Sequence, residues 1–145
     1  MSRPAPRTVL GFDYGRRRIG VAVGQELTGS ARPLALLAAR RQAPDWDGIG
    51  RLIREWRPDL LVVGVPRHAD GSASATTTAA LDFARHLAQR YGLAVDTIDE
   101  RLSSKAAAGL LEEAGGRRRR TALDPLAAAL ILESWLRRQG ASPQQ

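Results

Sequence analysis

The sequence predicts an α/β domain in which a mixed five-stranded sheet carries helices on both faces. Three observations lead to this expectation. Short apolar strand patterns separated by a glycine-containing turn open the chain. Strand and helix patterns then alternate, which is typical of parallel strands joined by right-handed crossovers. The segment Leu60–Val65 is apolar without interruption, as in a strand that is covered on both faces.

The first three predicted strands form an antiparallel meander. Thr8–Asp13 is mostly apolar and ends at a turn around Gly15. Large and small residues alternate over residues 19–24, and the short turn before them predicts a hairpin. The third strand, at residues 31–38, contains Pro33, which lacks a backbone N–H and therefore indicates an edge strand.

Helices and two further strands follow the meander. Apolar residues at helical spacing predict helices over residues 45–56 and 76–91, with strands at Leu60–Val65 and at residues 94–98. A third helix is expected at about 103–114. The last helix is expected to start at Asp124, as its N-cap, with Pro125 in the first turn, and to reach residue 138. The four arginines at 117–120 are expected to lie in a loop.

Length and composition limit the classes of protein to which this chain can belong. At 145 residues, we expect one domain over residues 8–138, with disordered tails at 1–7 and 139–145. The net charge is +7 and the pI about 11.2, which favours a polyanionic partner such as nucleic acid. The chain has no cysteine, which excludes thiol catalysis and leaves carboxylates as metal ligands. With no apolar stretch of about 18 residues, we expect a cytoplasmic protein without a membrane span.

Three acidic residues stand where the predicted chain changes direction. Asp13 ends the first strand, Glu100 follows the strand at 94–98, and Asp124 opens the last helix. Ligands in such sheets gather at the carboxyl ends of parallel strands, so the three carboxylates could hold Mg²⁺, or Mn²⁺, against a phosphodiester. Asp99 is an alternative to Glu100, because strand alternation sends the two side chains to different sides.

Each of these acids also has a plain structural interpretation. Asp13 before Tyr-Gly could serve as a turn former, and Asp124 before Pro125 is an ordinary helix cap. Glu100 could form a surface ion pair with its neighbour Arg101.

Several motifs together resemble the YqgF family, and the similarity extends over residues 8–138. The motifs occur in the order and at the spacing of that family. They are Gly11-Phe-Asp-Tyr-Gly15, Ile19-Gly-Val-Ala-Val-Gly24, Thr28-Gly-Ser-Ala-Arg-Pro-Leu34, Val63-Gly-Val-Pro66, Asp70-Gly71, Asp99-Glu-Arg-Leu-Ser103 and Asp124 with Ile131-Leu-Glu-Ser134. Two segments depart from the family pattern, namely Arg67-His68-Ala69 and the four arginines at 117–120.

The resemblance implies a ribonuclease H-like fold and a nuclease that processes the 5′ end of precursor 16S rRNA. The family's acidic residues fall on Asp13, Glu100 and Asp124, which would be the catalytic metal ligands. Arginines near these acids would position the phosphate backbone, and the candidates are Arg16, Arg18 and Arg101. The expected partner is precursor rRNA or branched DNA, bound by a monomer or a homodimer.

Three other functions remain open at this point. A Holliday junction resolvase would use the same chemistry on branched DNA, but the related resolvases carry an acid on the strand that matches residues 61–65, where this chain has none. A non-catalytic RNA-binding ribosome assembly factor would keep the acids without cleaving. The first hairpin also resembles that of actin-like ATPases and sugar kinases, which need two such lobes.

Overall fold

A computed structural model of the chain describes the backbone of residues 6–40, 43–102 and 119–141, with side chains in the last segment from 125 to 139. Over these residues, six strands form one sheet and three α-helices pack on it. The strands are β1 (Thr8–Asp13), β2 (Arg18–Gln25), β3 (Ser30–Arg40), β4 (Ala43–Pro44), β5 (Leu60–Val65) and β6 (Ala94–Asp99). The helices are α1 (Trp46–Trp56), α2 (Ala75–Tyr91) and α3 (Arg119–Ala141), and a 3₁₀ turn, Glu100–Leu102, follows β6.

The strand order is β4-β3-β2-β1-β5-β6. β1, β2 and β3 pair antiparallel as the predicted meander, whereas β5 and β6 continue the sheet parallel to β1. The sixth strand, which was not expected, is the two-residue β4, which pairs only with Ala39 and Arg40 at the end of β3. Two residues are too few for an alternating pattern to show in the sequence.

The ends of α1 and α2 follow from local chemistry. The Asp45 carboxylate accepts a hydrogen bond from the N–H of Gly48 at 3.0 Å and so caps α1. Ser74 and Thr77 form a capping box at the start of α2, and Gly92, with φ 64°, ends that helix in the left-handed conformation. These helices therefore begin and end within one residue of the predicted positions.

The last helix starts earlier than predicted. α3 begins at Arg119, so Asp124 is a residue of the helix interior and not its N-cap, and Pro125 lies inside the helix. Four of the five residues before Asp124 are arginine, alanine or leucine, which favour helices, and Pro125 removes only one backbone hydrogen bond, to residue 121.

Two predictions about the preceding segment are affected. Half of the arginine run, residues 119 and 120, is helical and not a loop. Residues 117 and 118 and the predicted helix at 103–114 lie outside the described residues. At its other end, α3 continues to Ala141, three residues beyond the predicted domain boundary.

Two apolar layers enclose the sheet. On one face, α1 and α2 cover a core of large side chains that includes Phe12, Ile49 and Phe83. On the other face, α3 covers Val9 and Val62 with its own apolar residues, among them Leu132. None of the helices in the described segments has the length and apolar character needed to span a bilayer.

Candidate active site

Asp13 lies on the face of the sheet that α3 covers. Strand alternation in β1 sends Val9, Gly11 and Asp13 to the same side. Val9 packs with the α3 residues, and a Cβ added to Gly11 would lie 2.9 Å from the Cβ of Leu132. Asp13 is half-buried at the carboxyl end of β1. Its carboxylate is therefore at the edge where ligands bind in sheets of this kind.

Glu100 reaches the same face from β6, two strands away. β5 lies between β1 and β6, and its Gly64 pairs with Asp13 in the register. A Cβ added to Gly64 would lie 3.1 Å from Oε2 of Glu100 and 3.2 Å from its Cγ. The Glu100 carboxyl group therefore lies over the bare backbone of Gly64, about one strand spacing, ~4.8 Å, from the backbone of Asp13. The structure brings these two predicted site residues together.

Gly64 is the site residue that the sequence analysis missed. It is the single glycine in an otherwise large apolar strand, Leu-Leu-Val-Val-Gly-Val. A glycine inside a strand often marks a place where another group approaches the backbone closely, so the signal was available.

Asp99 and Glu100 lie on opposite faces of the sheet. Asp99 points away from the α3 face and binds the Arg101 guanidinium at 2.7 Å, with Arg67 Nε at 4.0 Å. The hydrogen bonds from Arg101 hold the pKa of the Asp99 carboxyl below its usual value, and the same pair raises the pKa of Arg101. Asp99 is thus part of an ion pair, whereas Glu100 lies on the same face of the sheet as Asp13.

Asp124 lies on a helix whose direction the structure defines. Leu132 lies against Gly11, and Leu136 lies against Gly24 near the amino end of β1. Earlier turns of α3 therefore lead towards the carboxyl end of β1. Position 124 precedes Leu132 by eight residues, about 12 Å along the axis, towards that end. The Asp124 side chain lies outside the described residues.

The described acids form a pair and not a complete metal site. Among the side chains that the structure describes, no three His, Asp or Glu residues are arranged to hold a metal ion. Asp124 is not among these described side chains. The pair formed by Asp13 and Glu100 would need a third ligand from elsewhere in the chain.

A basic pocket of about 420 Å³ opens beside Asp13. Its walls are formed by the turn between β1 and β2, and the lining residues are Asp13, Tyr14, Gly15, Arg16, Arg17, Arg18 and Gly20. The turn is tight, because a Cβ on Gly15 would lie 2.6 Å from the carbonyl oxygen of Arg18. Three exposed arginines thus adjoin one carboxylate, an arrangement that suits a phosphate group next to a cation.

The three predicted phosphate-binding arginines do not lie together. Arg16 and Arg18 line the pocket beside Asp13. Arg101 instead donates hydrogen bonds to Asp99 and to the carbonyl oxygen of Ala69, in the loop after β5. Its guanidinium is therefore engaged away from the pocket.

Sequence comparison relates nearly the whole chain to one known family. Residues 7–138 match the sequence model of the RuvX family, which is described as Holliday junction resolvase. The chain belongs to the RuvX family.

The relatives support the YqgF resemblance over the same length. A protein of Azotobacter vinelandii named "Putative pre-16S rRNA nuclease" is 52% identical over 133 residues, which cover 90% of this chain and 94% of the relative. A protein of Nitrosococcus oceani with the same name is 51% identical over 135 residues, 92% of this chain and 89% of the relative. The family description and both names are those of nucleases, which confirms the predicted class of activity.

Solved structures confirm the ribonuclease H-like fold. RuvC of Thermus thermophilus in complex with a Holliday junction substrate superposes with a TM-score of 0.55, at 20% identity, and covers 93% of this chain and 96% of that one. The Holliday junction resolvase of fowlpox virus gives a TM-score of 0.51 at 13% identity, with coverage of 90% and 98%.

Proposed function

We propose that this protein is a metal-dependent nuclease that hydrolyses phosphodiester bonds near the 5′ end of precursor 16S rRNA. The observation that carries the proposal is the position of the Glu100 carboxyl group over Gly64, on the same face and edge as Asp13. The names of the relatives from Azotobacter vinelandii and Nitrosococcus oceani support the choice of substrate.

The residues present fit a divalent cation. Carboxylate oxygens are the ligands that Mg²⁺ and Mn²⁺ prefer. Oε2 of Glu100 is buried, and two carboxylates at the same edge and on the same face of the sheet repel each other, so a bound cation would be stabilising. We assign Asp13 and Glu100 as two ligands and Asp124, from α3, as the third. When bound, the ion supplies charge neutralisation at the phosphoryl group and activation of water.

The chain's own residues would position the substrate. Arg16 and Arg18 line the pocket beside Asp13 and can donate paired hydrogen bonds to phosphate oxygens. Ile131 of α3 lies on the same side of Gly64 as Glu100, because a Cβ on Gly64 would lie 2.8 Å from Cδ1 of Ile131. The Glu100 carboxyl group therefore lies beside an apolar side chain of α3, on the face of the sheet that carries Asp13.

A cleavage assay tests this function. We expect the wild type to cleave a precursor 16S rRNA leader in Mg²⁺ and to be inactive in EDTA. Because a metal ion contributes several kcal/mol to such a reaction, Asp13→Asn should lower the cleavage rate by about 10³-fold. Calorimetry should show that the variant has lost Mg²⁺ binding, while urea unfolding stays near that of the wild type. Full Mg²⁺ binding in Asp13→Asn would remove Asp13 from the site.

A second candidate substrate is a four-way DNA junction. The family description and the fold shared with RuvC of Thermus thermophilus favour it. The same assay with a DNA junction beside the rRNA leader decides between them, since the preferred substrate should be cut with the higher kcat/KM. A non-catalytic assembly factor is the third alternative. Metal-dependent cleavage that disappears in Asp124→Asn would exclude it.

The arginine pocket makes a separate prediction about binding. If Arg18 contacts one phosphate, Arg18→Gln should weaken RNA binding and reduce the slope of log K against log salt by about 1. The control is Arg85→Gln on α2, since Arg85 is exposed and pairs with Asp82. Filter binding at several salt concentrations measures both slopes. Equal slopes for the Arg18 variant and the wild type would place Arg18 outside the substrate path.

A further inference from the structure

The turn after β6 is closed by the residue that precedes Glu100. Oδ1 of Asp99 accepts a hydrogen bond from the backbone N–H of Arg101 at 2.9 Å. Glu100 lies between these two residues, so the bond spans its backbone. Such a side-chain-to-backbone bond fixes a turn in place of a regular backbone hydrogen bond.

The Arg101 side chain fastens the same turn a second time. Its Nη2 donates to Oδ2 of Asp99 at 2.7 Å, and its Nε lies within hydrogen-bond distance of both oxygens, 3.1 Å from Oδ1 and 3.0 Å from Oδ2. Its Nη1 donates to the carbonyl oxygen of Ala69 at 3.3 Å, in the loop that joins β5 to α2. Asp99 and Arg101 therefore connect the end of β6 to the loop that follows the strand of Gly64.

That loop leaves room for the guanidinium and adds a second arginine. Gly71 has a φ of 91°, and a Cβ there would lie 3.2 Å from Nη1 of Arg101. Arg67 in the same loop places Nε 4.0 Å from Asp99 and donates to the carbonyl oxygen of Gly71 at 3.5 Å. One carboxylate thus joins two arginines and two chain segments at the edge of the sheet.

We propose that Asp99 is a positioning residue that fixes the turn holding the Glu100 carboxyl group over Gly64. This inference rests on the proposed function, in which Glu100 is a metal ligand. Glu100 must extend across a neighbouring strand to approach Asp13, and a turn free to rotate would spread its carboxyl group over many positions. Asp99 removes that freedom without touching metal or substrate. Partners that orient metal ligands commonly contribute 10- to 100-fold to metal affinity or activity.

The test compares three variants of the full chain. We expect Asp99→Ala to weaken Mn²⁺ binding, measured by calorimetry without substrate, by about 10- to 100-fold. Its kcat should fall by a similar factor while KM for the substrate changes little, because the arginines of the pocket are unaffected. Asp99→Asn retains an oxygen for the Arg101 N–H and should recover a part of the Mn²⁺ affinity.

The control is Asp82→Asn, which breaks another exposed aspartate–arginine pair, Asp82 with Arg85 on α2. It should bind Mn²⁺ and cleave as the wild type does. If Asp99→Ala does not fold, Arg101→Gln removes the guanidinium bonds from the other side and should give the weaker effect expected for Asp99→Asn.

Two results would overturn the inference. One is wild-type Mn²⁺ affinity in a folded Asp99→Ala protein. The other is a crystal structure of that variant in which the Glu100 carboxyl group still lies over Gly64. A wild type that neither binds Mn²⁺ nor cleaves would instead refute the proposed function. The crystallographic position of Glu100 would then still decide whether Asp99 holds the turn.

Discussion

The face of the sheet under α1 and α2 packs large aromatic side chains, whereas the face under α3 presents glycines. On the first face, the Phe83 ring contacts the rings of Phe12, Tyr14 and Trp46, with centroids 5.1 to 5.7 Å apart. On the second face, Gly11, Gly24 and Gly64 let side chains of α3 or Glu100 come directly onto the strand backbone. The same strands therefore carry large side chains on one face of the sheet and leave space next to the backbone on the other.

This difference separates the source of stability from the place of chemistry. Aromatic side chains bury large areas, so a carboxylate enclosed among them without hydrogen-bond partners would be destabilised. A glycine-lined face leaves space at its edge, where a carboxyl group can lie over a strand without a competing side chain. Both described acids of the candidate site, Asp13 and Glu100, are on this second face.

The largest expected effect on stability comes from the aromatic face. Phe83 is 2% exposed, and Phe83→Ala should lower the free energy of unfolding by about 3–5 kcal/mol, through lost burial and a residual cavity. Urea unfolding measures the change. Leu81→Ala on the same helix is the control, since Leu81 is 42% exposed and should change stability by only about 0.5 kcal/mol. Equal losses in the two variants would contradict the contrast between the faces.

A smaller stability effect, with a large effect on activity, is expected on the glycine face. Gly64→Ala and Gly11→Ala both add a methyl group beneath α3, and each should cost about 1–3 kcal/mol of stability. Only the Gly64 variant places its methyl group against Glu100, 3.1 Å from Oε2. We therefore expect Gly64→Ala to lose Mn²⁺ affinity and cleavage activity, while Gly11→Ala keeps both when folded.

We compare the Mn²⁺ affinity of the two glycine variants by calorimetry and their activity by a cleavage assay. Both measurements are made at a temperature where both variants are folded. The idea that Gly64 makes room for Glu100 fails if the two variants retain the same metal affinity.

The smallest expected effect on stability comes from an ion pair at the end of the sheet opposite the candidate site. Arg7 donates to Glu26 at 2.7 Å and holds the pKa of that carboxyl below its ordinary 4.5. A depressed pKa adds stability above the unfolded pKa, and this contribution is lost as the pH falls through the folded pKa. Glu26→Gln should therefore cost about 0.5 kcal/mol at pH 7, since Arg7 is 43% exposed and solvent screens the pair.

Unfolding measured from pH 7 to pH 2 tests the sign of this contribution. The gap between wild type and Glu26→Gln should close as the pH falls, and 1 M NaCl should narrow it at pH 7. A gap that persists at pH 2 would show that the stabilisation is not electrostatic.

Most of the elements were readable from local patterns, and the exceptions have physical causes. Local signals depend on residues that are close in sequence. They include the apolar strand Leu60–Val65, the helix caps Asp45 and Ser74, and Gly92 at the end of α2. The predicted start of α3 was wrong, because the Asp124-Pro125 pair, which is typical of a helix start, lies inside the helix here. β4 is a strand only because it pairs with β3, and no local sequence pattern predicts that pairing.

By itself, the sequence determined the parallel and antiparallel strand pattern, the basic character of the chain and the three candidate acids. Each of these depends on residue type and short-range spacing. The placement of Glu100, and not Asp99, on the face of Asp13, the position of Gly64 beneath Glu100 and the pairing of Arg101 with Asp99 were decided only by the tertiary structure. Those relations depend on which strands become neighbours and in what register, and contacts between residues 64 and 100, or 69 and 101, arise only once the sheet has formed.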